Sequence, residues 1–249
     1  MTKNKKYGLI GKNISYSFSK KYFTEKFKNL ELNNYSYDNF DLETIEEFPS
    51  MYESVMGQIQ GFNVTIPYKQ EIIGYLDEID DDASIIGAVN TIKISNKGKL
   101  KGYNTDIYGF EHSLKPLLRS NIKNALILGT GGASKAIAFV LKKNNINCNF
   151  VSRSPTKPKT ISYDDLTEKV IDKHHLIVNC TPIGTFPNIE SAPEIPYEFL
   201  GDAHLLYDLV YNPEVSKFLE KGKERSASIK NGEEMLQLQA DRAWEIWNS

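Results

Sequence analysis

The chain has 249 residues, of which 40% are hydrophobic and 25% are charged, so it can bury one large core or two modest ones. Its 30 basic and 32 acidic residues give a formal net charge of −2, which favours neither nucleic acid nor an anionic membrane as a partner. The sequence starts with lysines but lacks the apolar run of a secretory signal or of a membrane span, so we expect a cytoplasmic protein.

Cysteine and histidine usage predicts neither a disulfide nor a metal site. Cys148 and Cys180 lie in apolar, strand-like segments and indicate buried, reduced thiols. The four histidines form no ligand spacing with each other or with the cysteines. We therefore expect no bound metal.

Apolar, strand-like runs alternate with amphipathic helical segments along most of the chain, which is the pattern of an α/β protein with mostly parallel sheets. The first series of strands is predicted at residues 7–10, 35–40, 61–66, 92–94 and 100–103. Helices are predicted near residues 19–28 and 43–56, and a long connecting helix at 105–118. A second series of strands follows at residues 125–128, 147–151, 176–179 and 205–207, and a last helix near 232–247. A domain boundary is therefore predicted near residues 105–120.

The segment Gly61–Lys69 predicts a buried strand that continues into a helix beginning at Pro67. Because side chains alternate along a strand, Asn63 and Thr65 should point away from the apolar face, toward a cleft or solvent. Lys69 would then lie in the first helical turn, where burial and the helix dipole both disfavour its charged form. Lys69 is thus a candidate acid or base, although a solvated lysine at a helix start is the commoner case.

Several other polar side chains of the first half are predicted at loop positions. Ser17 and Ser19 follow the first strand, Asn90 precedes a strand, and Asp106 lies at a strand-to-helix junction. Ser19 and Asp106 would each also suit an ordinary helix cap. Taken together, hydroxyl, amide and carboxylate groups of this kind suit the binding of a small polyhydroxylated molecule.

The second half opens with an apolar strand, a glycine-rich turn and a helical run over residues 126–136. This context predicts a dinucleotide-binding loop, in which glycines let the backbone approach a pyrophosphate and the helix start supplies N–H donors. Ser134 replaces the third glycine of the usual fingerprint, and an ordinary turn remains an alternative.

The end of the next strand indicates which dinucleotide is bound. An acidic residue at this position would bind the ribose of NAD, but here the strand ends in Ser152-Arg153-Ser154, with Lys157 and Lys159 beyond. A guanidinium can hold a 2′-phosphate through two hydrogen bonds, so NADP is favoured over NAD. A basic surface loop is the alternative.

Two further loops are predicted at the carboxyl ends of strands, where ligands of such sheets bind. One holds Asn179 and Thr181, which are candidate cofactor contacts, and the other holds Tyr211, a candidate substrate contact. Each of these residues would also be unremarkable in a turn.

Over nearly its whole length the sequence resembles the shikimate dehydrogenases. Six motifs occur in that family's order and approximate spacing, at residues 61–69, 87–91, 102–106, 129–134, 179–184 and 232–239. The resemblance implies reduction of 3-dehydroshikimate to shikimate with NADPH, in the pathway to chorismate and the aromatic amino acids. It also implies an α/β fold of two domains, a substrate domain of residues 1–106 plus 232–249 and a doubly wound, Rossmann-like NADP domain of residues 107–231.

The resemblance assigns roles to individual residues. It implies that Lys69 and Asp106 act as a catalytic pair. Substrate contacts are implied for Ser17, Ser19, Thr65, Asn90, Asp106, Tyr211 and Gln239, to which the strand pattern adds Asn63. Cofactor contacts are implied for Gly129, Thr130, Gly131, Gly132, Ala133, Ser152, Arg153, Ser154, Lys157, Leu209 and Gly232.

The chain departs from the family pattern beside the first two serines. Tyr16 and Lys20 stand where the family usually has His and Pro, which affects the geometry expected for that loop. A quinate or mixed quinate/shikimate dehydrogenase, using NADP or NAD, is an alternative, and so is a ligand sensor without catalytic activity. We expect small-molecule partners only, and a monomer or homodimer.

Overall fold

The computed structural model describes residues 4–15, 17–155 and 158–249. It separates into two compact units, one of Met1–Thr105 with Gln239–Ser249 and one of Asp106–Leu238. Each unit has helices packed on a six-stranded sheet, as far as the described residues show. The predicted α/β fold is confirmed, including a C-terminal helix whose second half returns to the first unit.

The first unit is built on a mixed sheet in the order β2-β1-β3-β5-β6-β4. Strand β1 is parallel to β2 and β3, whereas β5 is antiparallel to β3 and to β6. Its elements are β1 (Lys5–Gly11), α1 (Phe18–Asn29), β2 (Tyr35–Asp41), α2 (Phe48–Val55), β3 (Ile59–Val64), β4 (Glu78–Ile79), α3 (Asp81–Ile86), β5 (Thr91–Ile94) and β6 (Leu100–Tyr103).

Both faces of this sheet are covered by apolar side chains. One face packs Phe62 and Ile92 against Phe48 of α2. The other packs Tyr7 against Phe23 of α1 and Trp247 of the C-terminal helix. A strand buried on both faces does not alternate between exposed and buried residues, so the exposure expected for Asn63 of β3 does not follow from alternation.

The second unit is a parallel, doubly wound sheet in the order β12-β11-β10-β7-β8-β9. The last helix, α8 (Glu233–Asn248), starts in this unit and ends in the first. No helix of the described ranges is long and apolar enough to cross a membrane. The remaining elements are α4 (Asp106–Leu114), β7 (Asn124–Leu128), α5 (Gly132–Lys143), β8 (Asn147–Val151), β9 (Thr160–Ile161), α6 (Glu168–Lys173), β10 (Leu176–Asn179), β11 (Leu205–Asp208), α7 (Lys217–Glu224) and β12 (Ser228–Lys230).

The predicted helix beginning at Pro67 is wrong. Strand β3 ends at Val64, Ile66 is 73% exposed, and Lys69 lies in a turn that leads into a short 3-10 helix, Glu71–Tyr75. The carbonyl of Lys69 accepts a hydrogen bond from the Val89 N–H at 2.7 Å, which ties this turn to the segment before β5. The expected effect of an α-helix dipole on Lys69 therefore does not apply.

Candidate active site

The first unit gathers polar residues where neighbouring strands end on one edge of the sheet. Thr65 follows β3 directly, and its N–H donates to the Ile10 carbonyl of β1 at 2.9 Å. Asn90 precedes the antiparallel β5, and its carbonyl accepts from the Val64 N–H at 2.8 Å. Thr65 and Asn90 are therefore neighbours at this edge, although they are 25 positions apart in sequence.

A buried hydrogen-bond network fixes Asn90 and Gln239. The Asn90 Oδ1 accepts from the Thr105 N–H at 2.7 Å and from the Thr105 hydroxyl at 3.1 Å. The Gln239 Oε1 lies 3.3 Å from the Thr105 hydroxyl and 3.5 Å from the Asn90 Nδ2. Because Gln239 belongs to the part of α8 that returns to this unit, the network joins the C-terminal helix to the strand ends.

Asn63 lies inside the unit and does not face solvent. It is 4% exposed, its Oδ1 accepts from the Tyr37 hydroxyl at 2.8 Å, and its Nδ2 lies 3.2 Å from the Thr91 hydroxyl. Burial raises the pKa of Tyr37, and a hydrogen bond from Ser19 opposes that rise. Asn63 and Tyr37 thus link Ser19 to the Asn90 network through the sheet.

The helix cap after β1 is Ser17 and not Ser19. Ser17 is the cap of α1, since its hydroxyl accepts from the Lys20 N–H at 3.3 Å. Ser19, for which a cap was the alternative to a ligand contact, lies within the first helical turn and is buried at 9% exposure. Tyr16 lies outside the described residues.

The proposed catalytic pair occupies two different elements. Lys69 is partly buried in the turn after β3. Asp106, 6% exposed, is the first residue of α4 and groups with the second unit, directly after Thr105 of the first.

In the second unit, the parallel register aligns four strand ends in one row. Val151 pairs with Leu128, Leu128 with Asn179, and Asn179 with Asp208. The loops that follow these residues all leave the same edge of the sheet. This edge carries the glycine loop, the Ser-Arg-Ser triplet and the loops of Thr181 and Leu209.

The glycine loop has the backbone freedom that a dinucleotide needs. Gly129 has φ +101°, which favours glycine, and a Cβ there would lie 3.1 Å from the Thr181 methyl group. Apart from Gly131 and its two chain neighbours, no heavy atom of the described residues lies within 4 Å of a Cβ built at Gly131, which precedes the 12-residue α5 without a side-chain cap. Ser134, which replaces the third glycine, is buried and donates to the Gly131 carbonyl at 2.6 Å.

Two other predicted cofactor positions meet at the end of β11. A Cβ at Gly232 would lie 2.2 Å from the Leu209 carbonyl oxygen, so this close approach requires glycine. Tyr211, on the same loop, is 37% exposed, and burial raises the pKa of its phenol.

Arg153 and Ser154 are exposed immediately after β8, next to partly buried Ser152. The Ser154 N–H donates to the Ser152 hydroxyl at 3.2 Å, which shapes the turn. Lys157 lies outside the described residues.

Comparisons with known proteins identify the family. Residues 9–92 match the family model described as the shikimate dehydrogenase substrate binding domain. A shikimate dehydrogenase (NADP(+)) of Methanococcus maripaludis is 39% identical over 264 residues, covering 99% of this chain and 92% of the relative.

The chain belongs to the shikimate dehydrogenase family.

Solved structures of this family agree with the fold. The crystal structure of a shikimate dehydrogenase in complex with NADP+ is 37% identical, with a TM-score of 0.86 and coverage of 98% of this chain and 90% of that chain. A Thermus thermophilus shikimate 5-dehydrogenase in complex with NADP(H) and shikimate is 28% identical, with a TM-score of 0.85 and coverage of 98% and 93%.

The residues of the second unit fit NADP as the cofactor of this family. The space in front of Gly131 and the first N–H groups of α5, which have no partner within the helix, suit a pyrophosphate. The exposed guanidinium of Arg153, beside two serine hydroxyls, suits a 2′-phosphate.

The sequence did not predict three residues that hydrogen-bond to candidate site residues, namely Tyr37, Thr105 and Asp208, which bonds to Asn179. Tyr37 and Thr105 gave no local signal, because their partners come from distant strands and from α8. Asp208 did give one, since a carboxylate at the end of an apolar strand such as Leu205–Asp208 requires partners.

Proposed function

We propose that this chain interconverts shikimate and 3-dehydroshikimate with NADP, and that Lys69 exchanges the proton at the reacting C3 oxygen. Family membership makes the chain an oxidoreductase with NADP as cofactor, in the pathway to the aromatic amino acids. The observation that carries the proposal is the strand-end cluster of the first unit, where Thr65, Asn90 and Gln239 come together close to the turn that holds Lys69.

The polar cluster suits a ring that carries hydroxyl groups and a carboxylate. Hydroxyl and amide side chains both donate and accept hydrogen bonds, so each can bind one oxygen of such a ring. We assign shikimate contacts to Ser17, Ser19, Thr65, Asn90, Tyr211 and Gln239. The buried Asn63 supports this set through its hydrogen bonds to Tyr37 and Thr91. The prior hydrogen bonding of Asn90 and Gln239 supports this assignment, because groups already held in place lose less entropy on binding.

Lys69 is assigned as the general acid and base. Its ammonium group would donate to the substrate oxygen in the reduction and take the proton back in the oxidation, which typically contributes about 10²–10⁴-fold in rate. Asp106 is assigned to orient Lys69 and the neighbouring substrate hydroxyl. Partial burial of Lys69 and near-complete burial of Asp106 support these roles, since both limit competition by water.

NADP supplies the hydride chemistry when bound, and the second unit holds it. We assign the pyrophosphate to Gly129, Thr130, Gly131, Gly132 and Ala133. We assign the 2′-phosphate to Ser152, Arg153, Ser154 and Lys157. The loops with Asn179, Thr181, Leu209 and Gly232 complete the cofactor site. A cytoplasmic location and a monomer or homodimer remain parts of the proposal.

A cofactor and substrate panel tests this function. Values of kcat/KM would be measured for shikimate and quinate, each with NADP and NAD. We expect the highest value for shikimate with NADP. Higher values with quinate would reassign the substrate, and tight shikimate binding without turnover would make the chain a ligand sensor.

A further inference from the structure

Asp208 is a buried carboxylate that has no role in the proposed reaction. It is the last residue of β11 and has no exposed surface. It lies in the row of strand ends from which the cofactor loops leave, paired with Asn179 of β10. A carboxylate costs much free energy to bury unless hydrogen bonds satisfy its oxygens.

Three donors from different segments converge on this carboxylate. The Oδ1 accepts from the Asn179 Nδ2 at 2.9 Å and from the Val210 N–H at 3.0 Å. The Oδ2 accepts a short hydrogen bond from the Ser216 hydroxyl. Ser216 is also the cap of α7, because it accepts from the Leu219 N–H at 3.4 Å. Asp208 therefore connects the end of β10, the loop after β11 and the start of α7.

The side chain of Asn179 extends this network into the neighbouring loop. Its Oδ1 accepts from the Thr181 N–H at 3.0 Å and from the Thr181 hydroxyl at 2.7 Å. Its Nδ2 donates to Asp208 and to the Ile183 carbonyl at 3.4 Å. An amide side chain has two donors and two acceptor sites, so these bonds use the full capacity of Asn179.

The network thereby reaches the groups assigned to the cofactor. Thr181 packs next to the position that a Cβ would take at Gly129, and the Leu209 N–H donates to the Asn179 carbonyl at 3.0 Å. Val210, held by Asp208, accepts from the Gly232 N–H at 3.2 Å. Loss of the carboxylate would therefore remove hydrogen bonds that hold both loops.

We propose that Asp208 is a positioning residue that holds the loops after β10 and β11 in the arrangement that binds NADP. Asn179 acts with it, so its side chain contributes through loop geometry and not through a contact with the cofactor. This inference rests on the proposed function, because the ligand of these loops is the NADP assigned above.

The test compares Asp208→Asn with two controls. The asparagine keeps the size of the side chain, but its NH₂ group cannot accept a hydrogen bond. Leu206→Ala, on the same strand and fully buried, is a control for lost stability, and Asp202→Asn, on the surface, is a control for the change of charge. The Kd for NADP is measured by calorimetry below the unfolding transition of each variant, and KM values for NADP and shikimate are measured alongside.

We expect Asp208→Asn to weaken NADP binding by about tenfold or more, which corresponds to about 1.4 kcal/mol. Leu206→Ala should unfold at a lower temperature with its Kd for NADP unchanged, and Asp202→Asn should match wild type in both. Wild-type NADP affinity in a folded Asp208→Asn protein would overturn the inference and leave the proposed function intact.

Ser216→Ala provides a second test if Asp208→Asn does not fold. It removes one of the three donors, so NADP binding should weaken severalfold, and an unchanged Kd would overturn the inference. A wild-type chain that binds no NADP would contradict the proposed function and this inference together.

Discussion

Lys69 is the residue on which the proposed chemistry depends. Its position is set by its backbone, because the Val89 N–H bonds to its carbonyl and so fixes the turn after β3. The side chain is thus presented from a held turn, close to the edge that carries Thr65 and Asn90. A proton donor that is already positioned needs little reorganisation when the substrate binds.

Replacing Lys69 by alanine should lower kcat by about 10²–10⁴-fold, because the reacting oxygen loses its acid and base. The KM for shikimate should change much less, since the other polar contacts remain. Steady-state kinetics on Lys69→Ala, beside the exposed Lys97→Ala as control, checks this expectation. Wild-type turnover in Lys69→Ala would remove the lysine from the mechanism.

Replacing Arg153 by alanine should raise the KM for NADP by about tenfold or more and leave the KM for NAD nearly unchanged. The guanidinium is assigned to the 2′-phosphate, which NAD lacks, and a charge-assisted pair of this kind contributes about 1.5–3 kcal/mol. Arg225→Ala, at the exposed end of α7, is the matched control. An equal loss with both cofactors would assign Arg153 a general role in folding or binding.

At the scale of elements, both sheets organise their sites through hydrogen bonds between side chains of different strands. In the first unit, Tyr37 of β2 bonds to Asn63 of β3, which lies beside Thr91 of β5. In the second, Asp208 of β11 bonds to Asn179 of β10. Such contacts fix the polar groups of one strand relative to those of another, so each site depends on the register of its sheet.

Replacing Tyr37 by phenylalanine should lower the free energy of unfolding by about 1–3 kcal/mol. The substitution removes the hydroxyl that donates to the buried Asn63 Oδ1, and an unsatisfied buried acceptor costs about this much. Chemical denaturation measures the effect, with Tyr35→Phe, a partly exposed residue of the same strand, as control. Equal stability of Tyr37→Phe and wild type would show that this hydrogen bond contributes little.

The carboxyl of Asp208 should make stability depend on pH. Burial raises its pKa from 3.8 to about 6, against hydrogen bonds from Ser216, Val210 and Asn179 that lower it. Between pH 3.8 and about 6, the carboxyl of Asp208 is protonated in the folded protein but ionised in the unfolded chain. The resulting stabilisation, about 3 kcal/mol, is full below pH 3.8 and is lost as the pH rises through about 6.

Denaturation from pH 4 to 7 should therefore show wild type losing stability relative to Asp208→Asn as the pH rises. Taking the difference between the two proteins cancels groups that titrate alike in both. Burial, together with the nearby charge of Asp208, raises the pKa values of Cys180 and Tyr197, so both stay neutral in this range. A difference that does not vary with pH would mean that Asp208 is ionised throughout.

For the whole molecule, the parts that the sequence predicted well are those with local signals. The fold class, most strands, the glycine loop before α5 and Arg153 after β8 all follow from short patterns. The two errors in the first unit, the helix at Pro67 and the exposure of Asn63, arise from hydrogen-bond partners that are distant in sequence. The predicted helix at Pro67 is excluded by a turn tied to Val89, and Asn63 is covered by Tyr37 from another strand.

Local sequence patterns also do not predict where the chain passes from one unit to the other. The prediction places Asp106 with residues 1–106, whereas contacts group it with α4 and the second unit. The return of Gln239 to the first unit came from the family resemblance, because no local signal divides α8 at that point. The grouping of Asp106 and the return of Gln239 both depend on contacts between residues far apart in sequence.

The most direct test of the central claim is the absorbance of the reduced nicotinamide after the wild-type protein is mixed with shikimate and NADP. An increase whose initial rate is proportional to protein concentration, and faster than with NAD, is the predicted result. No increase with saturating NADP and shikimate, in a protein shown to be folded by circular dichroism, would contradict the account.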